Sequence, residues 1–414
     1  MRTSRLLALA GIFLSGSVLS PVTHAAGPHE FTAQVDVRLI AANTPLRSFM
    51  HGGLGLLLFD EERDGVRVGP VMLDYSGPLT DTLRATVTAF ANGDNDKNPI
   101  DLTEAVLEWR PVPASQWRWR AKLGAFYPPV SMENRGIGWQ SIYSLSPSAI
   151  NTWIGEEVRT IGGELSLTAA GAGVGRPFDI SAIVGVYGWN DPMGVVIQQR
   201  GWAIHDRQTA LFGRLPDING LPAGDGSFEL FREIDNRVGY YAGLEFSWQD
   251  RVVARALHYD NRGDPAQFDK EEYAWLSRFD SFGVRIELPR DWTVIAQRLE
   301  GDTGIGASND GKGYHILDFS SEFVLVSKAY GRHRGSARYE RFQTRTVRAS
   351  AFFNSNQDGD AWTLAYRYDV SDRWQLQAEA LQIDSTLSHR RLQGTSPGAV
   401  ERSLQLVARY SLTL

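Results

Sequence analysis

Between residues 30 and 414 the chain reads as runs of alternating apolar and polar residues, and the connections between these runs take turns in being short and long. Short connections of turn composition fall at 79–82, 111–116, 171–177, 249–250, 289–291, 328–334 and 370–373. Long ones, rich in Gly, Asn, Asp and Pro, fall at 43–65, 93–100, 128–158, 189–238, 261–279, 301–313, 346–360 and 384–401. Period-two alternation marks a strand, because successive side chains point to opposite faces. Seven short and eight long connections join sixteen strands. A sandwich does not sort its connections by length. An antiparallel up-and-down β-barrel in a membrane does, with short periplasmic turns at one rim and long extracellular loops at the other.

Strand length agrees with that architecture. Most runs have about 9–11 residues, the length a strand tilted by about 45° needs to cross a bilayer. No apolar run after the N-terminal segment approaches the roughly 18–20 residues of a spanning helix; the longest is Leu54–Phe59. The stretch "GGLGLLLF" around it reads as a further strand segment or as a packed loop. The run "LQLVARYSLTL" alternates to Leu414. Paired with "FTAQVDVRLIA" near residue 30, it would close the sheet and leave no edge.

One strand shows what each face does. In "QWRWRAKLGAFYPP" (116–129) Trp117, Trp119, Ala121, Leu123, Ala125 and Tyr127 share one parity, and Arg118, Arg120 and Lys122 share the other. In a barrel the first face meets lipid and the second a watery lumen. The 12 Trp and 14 Tyr suit aromatic girdles at the two interfaces.

The first 25 residues read as a secretory signal peptide: Arg2 and Arg5, an apolar stretch from Leu6 to Ser20, then Thr23-His24-Ala25 as a cleavage site. Residues 26–414 then form one barrel domain, expected in the outer membrane of a Gram-negative bacterium. The chain has no cysteine, which removes thiol catalysis and cysteine metal sites. Its net charge of −6 is not a nucleic-acid binder's.

Sixteen strands enclose more space than their own side chains fill, so a channel is expected, narrowed by a loop. Loop 128–158 is the candidate, with Glu133, Arg135, Glu156 and Glu157 at the constriction; the longer 189–238 is the alternative. Inward-parity candidates for the pore lining are Arg118, Arg120, Lys122, Arg159, Glu164, Arg285, Arg338, Arg367 and Arg409. Arg285, Arg338 and Arg367 each have an acid two residues on (Glu287, Glu340, Asp369), and Glu379 shares the inward parity; these read as ion pairs along the wall. The row 118–122 is the unbalanced one, and rows of Arg and Lys favour anions.

"KLGAFYPPVSMEN" followed by "GEEVRTIGGELSL" resembles the phosphate-selective porin family of Gram-negative outer membranes. The matching positions are Gly124, Phe126, Pro129, Ser131, Glu133, Glu157, Arg159 and Gly162, within residues 100–170. The resemblance implies a water-filled channel for small hydrophilic solutes, anions or phosphate among them, and a homotrimer in outer-membrane lipid. It implies no cofactor.

Two other readings stay open. A plugged or adhesive barrel would act through its loops. A barrel enzyme would need a catalytic constellation, but His258, His315, His333 and His389 stand in no Ser-His-acid pattern, and no pair of histidines has metal-ligand spacing. The expectation is therefore no catalytic residue and no metal.

Overall fold

The computed structural model describes residues 28–91, 100–216, 227–249, 251–270, 272–348 and 354–414. The signal segment expected at 1–25 and nearly all of the loop expected at 93–100 lie outside them. The chain forms a closed antiparallel barrel of sixteen strands. They are β1 (Glu30–Asn43), β2 in two pieces (Gly65–Val68 and Val71–Pro78), β3 (Leu83–Ala91), β4 (Ile100–Trp109), β5 (Trp117–Phe126), β6 (Thr160–Ala169), β7 (Phe178–Gly188) and β8 (Gly239–Trp248). The second half comprises β9 (Val252–Asp260), β10 (Leu276–Leu288), β11 (Trp292–Ile305), β12 (His315–Tyr330), β13 (His333–Arg348), β14 (Gln357–Asp369), β15 (Trp374–Leu387) and β16 (Gly398–Thr413). Neighbours in sequence pair throughout, and β16 closes on β1 over Thr32↔Thr413 to Asn43↔Arg402. Phe31 and Leu414 exchange both backbone hydrogen bonds, at 3.1 and 2.9 Å, so the seam has no edge.

The outer face is the apolar one. Trp117 is 47% exposed and Leu123 64%, on the lipid side of β5. Trp109, Trp117, Trp248, Trp292, Tyr330 and Trp374 flank the short turns and form a girdle at that rim. The parity breaks at Gly124, whose φ of +131° only glycine adopts readily, and where a Cβ would lie 2.1 Å from the Ala105 carbonyl oxygen. Ala125 and Tyr127 therefore turn from the expected lipid face and are buried.

Strands β10 to β16 are 13–16 residues long, not 9–11. The connections expected at 261–279, 301–313, 328–334 and 384–401 are correspondingly shorter, and the turn between β12 and β13 is only Gly331-Arg332. Outward side chains explain the excess. Near the short turns they are Val294, Val324, Leu364 and Leu404, suited to lipid. Toward the long loops they become Arg298, Glu300, Glu322, Arg345 and Asp358, suited to water. These strands continue as a wall beyond the apolar band.

The segment 44–64 is a packed loop, not a strand. A 3-10 turn at Phe49–His51 is capped by Ser48, and Leu54, Leu56, Leu57 and Phe59 are buried. Loop 127–159 and residues 190–211 of the next long loop fold into the barrel. Loop 127–159 carries α1 (Ala149–Glu157), all of whose residues are buried, and loop 189–238 carries α2 (Val195–Gln199). Their apolar side chains join the inward residues of β7 to β15 in one hydrophobic cluster. Trp153 is its centre, edge-on to Phe319 (5.1 Å), Phe279 (5.5 Å) and Trp202 (5.8 Å).

Candidate functional site

Backbone buried inside a barrel must find partners, and here wall side chains supply them. Glu340 on β13 accepts the Ala149 N–H at 2.6 Å, and Glu379 on β15 accepts those of Leu145 (2.7 Å) and Ser146 (3.0 Å). Glu401 on β16 accepts Leu56 N–H at 3.0 Å and meets Arg390 at 3.3 Å. Gln357 bonds both backbone groups of Trp202, and Gln297 accepts the Met132 N–H and donates to the Val130 carbonyl. Arg338 is the strongest clamp. It reaches Glu340 (2.8 Å) and Glu133 (3.4 Å) and donates to the carbonyls of Ser146 (2.9 Å) and Pro147 (3.0 Å).

Helix α1 starts where Ser148 caps the Asn151 N–H. Glu133 accepts Ser148 N–H at 2.7 Å and Asn151 Nδ2 at 2.8 Å, so negative charge sits at the positive end of the helix. Glu156 and Glu157 sit at the other end, where the dipole opposes them. Burial raises Glu156, but Arg200 and then His205 outweigh it and hold its carboxyl well below the usual range. Burial pushes Glu157 up to about 7, against the N–H groups of Val196 and Gly194 and the indole of Trp153. Burial also depresses His205, and its ring stacks on Phe49 at 4.8 Å. These contacts knot the three inward loops together.

The sequence candidates therefore serve different ends. Arg338, Glu133, Glu156 and Glu157 hold the plug. Arg135 meets Glu287 at 3.7 Å, and Arg285 meets Glu287 at 3.2 Å. Arg159 is fully buried over the Tyr127 ring (3.6 Å) and donates to the Thr209 carbonyl. The row 118–122 is not an unbalanced row. Arg120 pairs with Glu108, and Lys122 pairs with Glu164 at 3.2 Å, while Glu164 also accepts the Tyr241 hydroxyl. Cross-strand acids, invisible to a reading along one strand, neutralise two of the three cations.

With the centre of the lumen filled, open space lies off-centre, from β14 to β16 at one end to β1 and β2 at the other. An inner vestibule of about 360 Å³ is lined by Arg367, Arg373 and Arg409 with Asp369 and Asp372. It shares Gln34, Gln140 and Arg409 with a narrowing of about 30 Å³, room for one or two waters. The narrowing shares Arg38, Asp206 and Arg207 with an outer recess of about 60 Å³, lined also by Arg63 and Arg67. Seven arginines and four aspartates, from the wall, its turns and the inward loops, thus line this space. At the narrowing, Asp36 takes two bonds from Arg409 (2.7 and 2.9 Å) and one from Arg38 (3.0 Å). Arg38 Nη2 also bonds Asp206 of loop 189–238 at 2.6 Å, which ties the plug to the wall. Strand β2 breaks here: Gly69-Pro70 separates its two pieces, and Gly69 N–H bonds the Asp36 carbonyl at 2.9 Å. A Cβ at Gly69 would lie 2.8 Å from Arg38 Nε.

Arg367 and Arg409 thus line the inner vestibule. Arg38, Arg67, Asp36 and Asp206 were not among the candidates. Alternation in "FTAQVDVRLIA" puts Gln34, Asp36 and Arg38 on the inward parity, and that signal was available; the approach of Asp206 was not.

The sequence matches no protein-family profile and no curated protein. Solved structures do share the fold. The outer membrane channel DcaP of Acinetobacter baumannii superposes with a TM-score of 0.54 at 12% identity, over 93% of this chain and 96% of that one. The anion-selective porin from Comamonas acidovorans gives 0.50 at 12% identity, over 93% and 99%. The trimer form of OmpT, an outer membrane protein of Vibrio cholerae, gives 0.50 at 10% identity, over 94% and 100%. At these identities the likeness is one of fold: this chain is a sixteen-strand antiparallel barrel of the kind those outer-membrane proteins have.

Proposed function

We propose that the protein is a porin that passes small hydrophilic solutes with a preference for anions, along the off-centre passage that runs past β14 to β16, β1 and β2. The observation that carries the reading is the arginine succession: Arg67 and Arg207 at the recess, Arg38 and Arg409 at the narrowing, Arg367 and Arg373 at the inner vestibule. Arg38 and Arg67 even stand directly opposite in the β1–β2 register. Like charges so placed are unfavourable in a sheet, so the wall favours anions that offset them. Arg and Lys linings select anions in other pores. Phosphate is one anion this lining could accept. The fold shared with an anion-selective porin supports the same direction. The protein is in this reading a channel and not an enzyme, and it assembles as a homotrimer like the OmpT form above.

Reversal potential under a KCl gradient across a planar bilayer tests it. The expected potential is anion-directed, and Arg67→Gln with Arg409→Gln moves it toward zero. A cation-directed potential overturns the reading. Absence of conductance favours the second reading, a plugged barrel acting through its loops, which the hydrophobic cluster across the lumen supports.

A further inference from the structure

The narrowing contains a carboxylate where a passing anion would bind. We propose that Asp206 is a tethered competitor at an oxyanion site on Arg38: a small carboxylate- or phosphate-like anion displaces it, and the displacement opens the passage. The inference rests on the anion-porin reading above.

Charge at the site leaves Arg38 in need of a second anion. Asp36 is already committed to Arg409 through both of its oxygens. Arg38 is buried, shares Asp36 through one nitrogen only, and its Nε has no hydrogen-bond partner. Asp206 fills the deficit at 2.6 Å, and its side chain keeps 19% exposure, facing the recess and the narrowing at once. Arg207 and Arg63 lie around the same recess, so an arriving anion meets positive charge before it meets Arg38.

The exchange discriminates by charge. A neutral or cationic solute that pushes Asp206 aside leaves a buried guanidinium short of a partner, which is strongly unfavourable. An oxyanion replaces one charge-assisted bond with another, so only an anion carries the differential affinity that opens the narrowing. The movement required is small. Ile204 N–H bonds the Leu56 carbonyl at 3.1 Å, Thr209 N–H bonds that of Gly155 at 3.1 Å, and Gln208 Nε2 bonds that of Gly138 at 2.9 Å. With both sides of Asp206 anchored, its side chain can rotate while the loop stays docked. The aperture so opened suits a small anion.

The test is chloride conductance at 50 mM KCl, with inorganic phosphate as blocker, for the parent protein, Asp206→Asn and Asp206→Ala. Asp64→Asn removes an equal charge from the exposed part of loop 44–64 as a control. Retained heat-modifiable mobility on electrophoresis shows that each barrel is folded. Asp206→Asn and Asp206→Ala are expected to raise chloride conductance several-fold and to lower the half-blocking phosphate concentration about tenfold, with Asp64→Asn near the parent. A parent that is anion-selective, with Asp206 variants of unchanged conductance and block, overturns the tethered competitor and leaves the porin reading standing. Equal effects from Asp64→Asn and Asp206→Asn also overturn it, because general surface charge then suffices. Silence or cation selectivity in the parent overturns both.

Discussion

Arg338→Met tests whether the plug is held from the wall. The guanidinium lies within 3.4 Å of two fully buried carboxylates, Glu340 and Glu133, and donates to two carbonyls that precede α1. Removing one partner of a buried ion pair costs about 3–5 kcal/mol, mainly because the other charge is left behind. The cost falls on the loop. The β12–β13 and β13–β14 backbone ladders involve no side chain of Arg338. Both carboxyl groups keep N–H donors from the loop, Ala149 to Glu340 and Ser148 to Glu133, so they stay against the plug without their guanidinium. A loss of that size shifts the ratio of docked to undocked loop by roughly 150- to 5,000-fold. Trypsin cleavage at Arg135, within the loop, reads that ratio when opening is fast relative to cleavage. Cleavage is expected to rise by two orders of magnitude or more while the barrel keeps its heat-modifiable mobility. Adding Glu133→Gln and Glu340→Gln removes the stranded charges and leaves oxygens that still accept the loop N–H groups, so most of the protection should return. Unchanged cleavage in Arg338→Met, or a triple variant as labile as the single one, refutes the clamp.

Trp153→Ala removes the centre of the lumen cluster and is expected to cost about 3–5 kcal/mol, as buried aromatic truncations do; raised cleavage at Arg135 together with noisier channel current would show it, and unchanged current would count against a packed plug. A pH dependence follows from Glu157, raised from 4.5 to about 7, and Asp191, raised by burial from 3.8 to about 7. Acids whose folded value is raised bind protons more tightly in the docked state. Their contribution is therefore greatest below the unfolded values and is lost as pH rises through about 7. For Glu157 the loss is on the order of 3 kcal/mol. Amide exchange at 194–204, corrected for its intrinsic rate, should speed up between pH 5 and 8, and Glu157→Gln should flatten that change.

The sequence carried the barrel clearly and the site only in part. Strand number, turn order and closure of β16 on β1 follow from alternation and connection length, which local residues determine. The outward faces of β5, β12 and β14 follow from the same parity. Gly124 departs from it because the chain must leave the wall and enter the plug, a demand set by tertiary structure. The acids of Arg285, Arg338 and Arg367 were visible two residues on, and each pair forms. Glu108 and Glu164 were not visible as partners of Arg120 and Lys122, because they lie on neighbouring strands, Glu164 directly opposite Lys122 and Glu108 diagonal to Arg120. Asp206 on Arg38 is 168 residues distant in sequence. No local pattern encodes such a contact.

The filled side of the lumen did leave a trace. Alternation in a barrel with a wet lumen should be apolar outside and polar inside. Strand β12 instead places Val324 and Val326 outward and Phe319, Phe323 and Leu325 inward, and β9 places Val253, Leu257 and Tyr259 inward. Such two-sided strands are expected only where something apolar covers the inner face, since an inner wall of Phe and Leu against water would forfeit about 25 cal/mol for each Å² left exposed. Here the cover is α1 and the 195–204 segment. On β1 the inward residues are Gln34, Asp36 and Arg38, on β5 Arg118, Arg120 and Lys122, and on β16 Glu401, Gln405 and Arg409. The change from a polar to an apolar inner face around the circumference therefore divides the lumen into a wet side and a dry side. The open space runs along the wet side, past β14 to β16 and β1. Loop 189–238 meets that passage at Asp206, so the residue that completes the plug is also the residue an entering anion must displace.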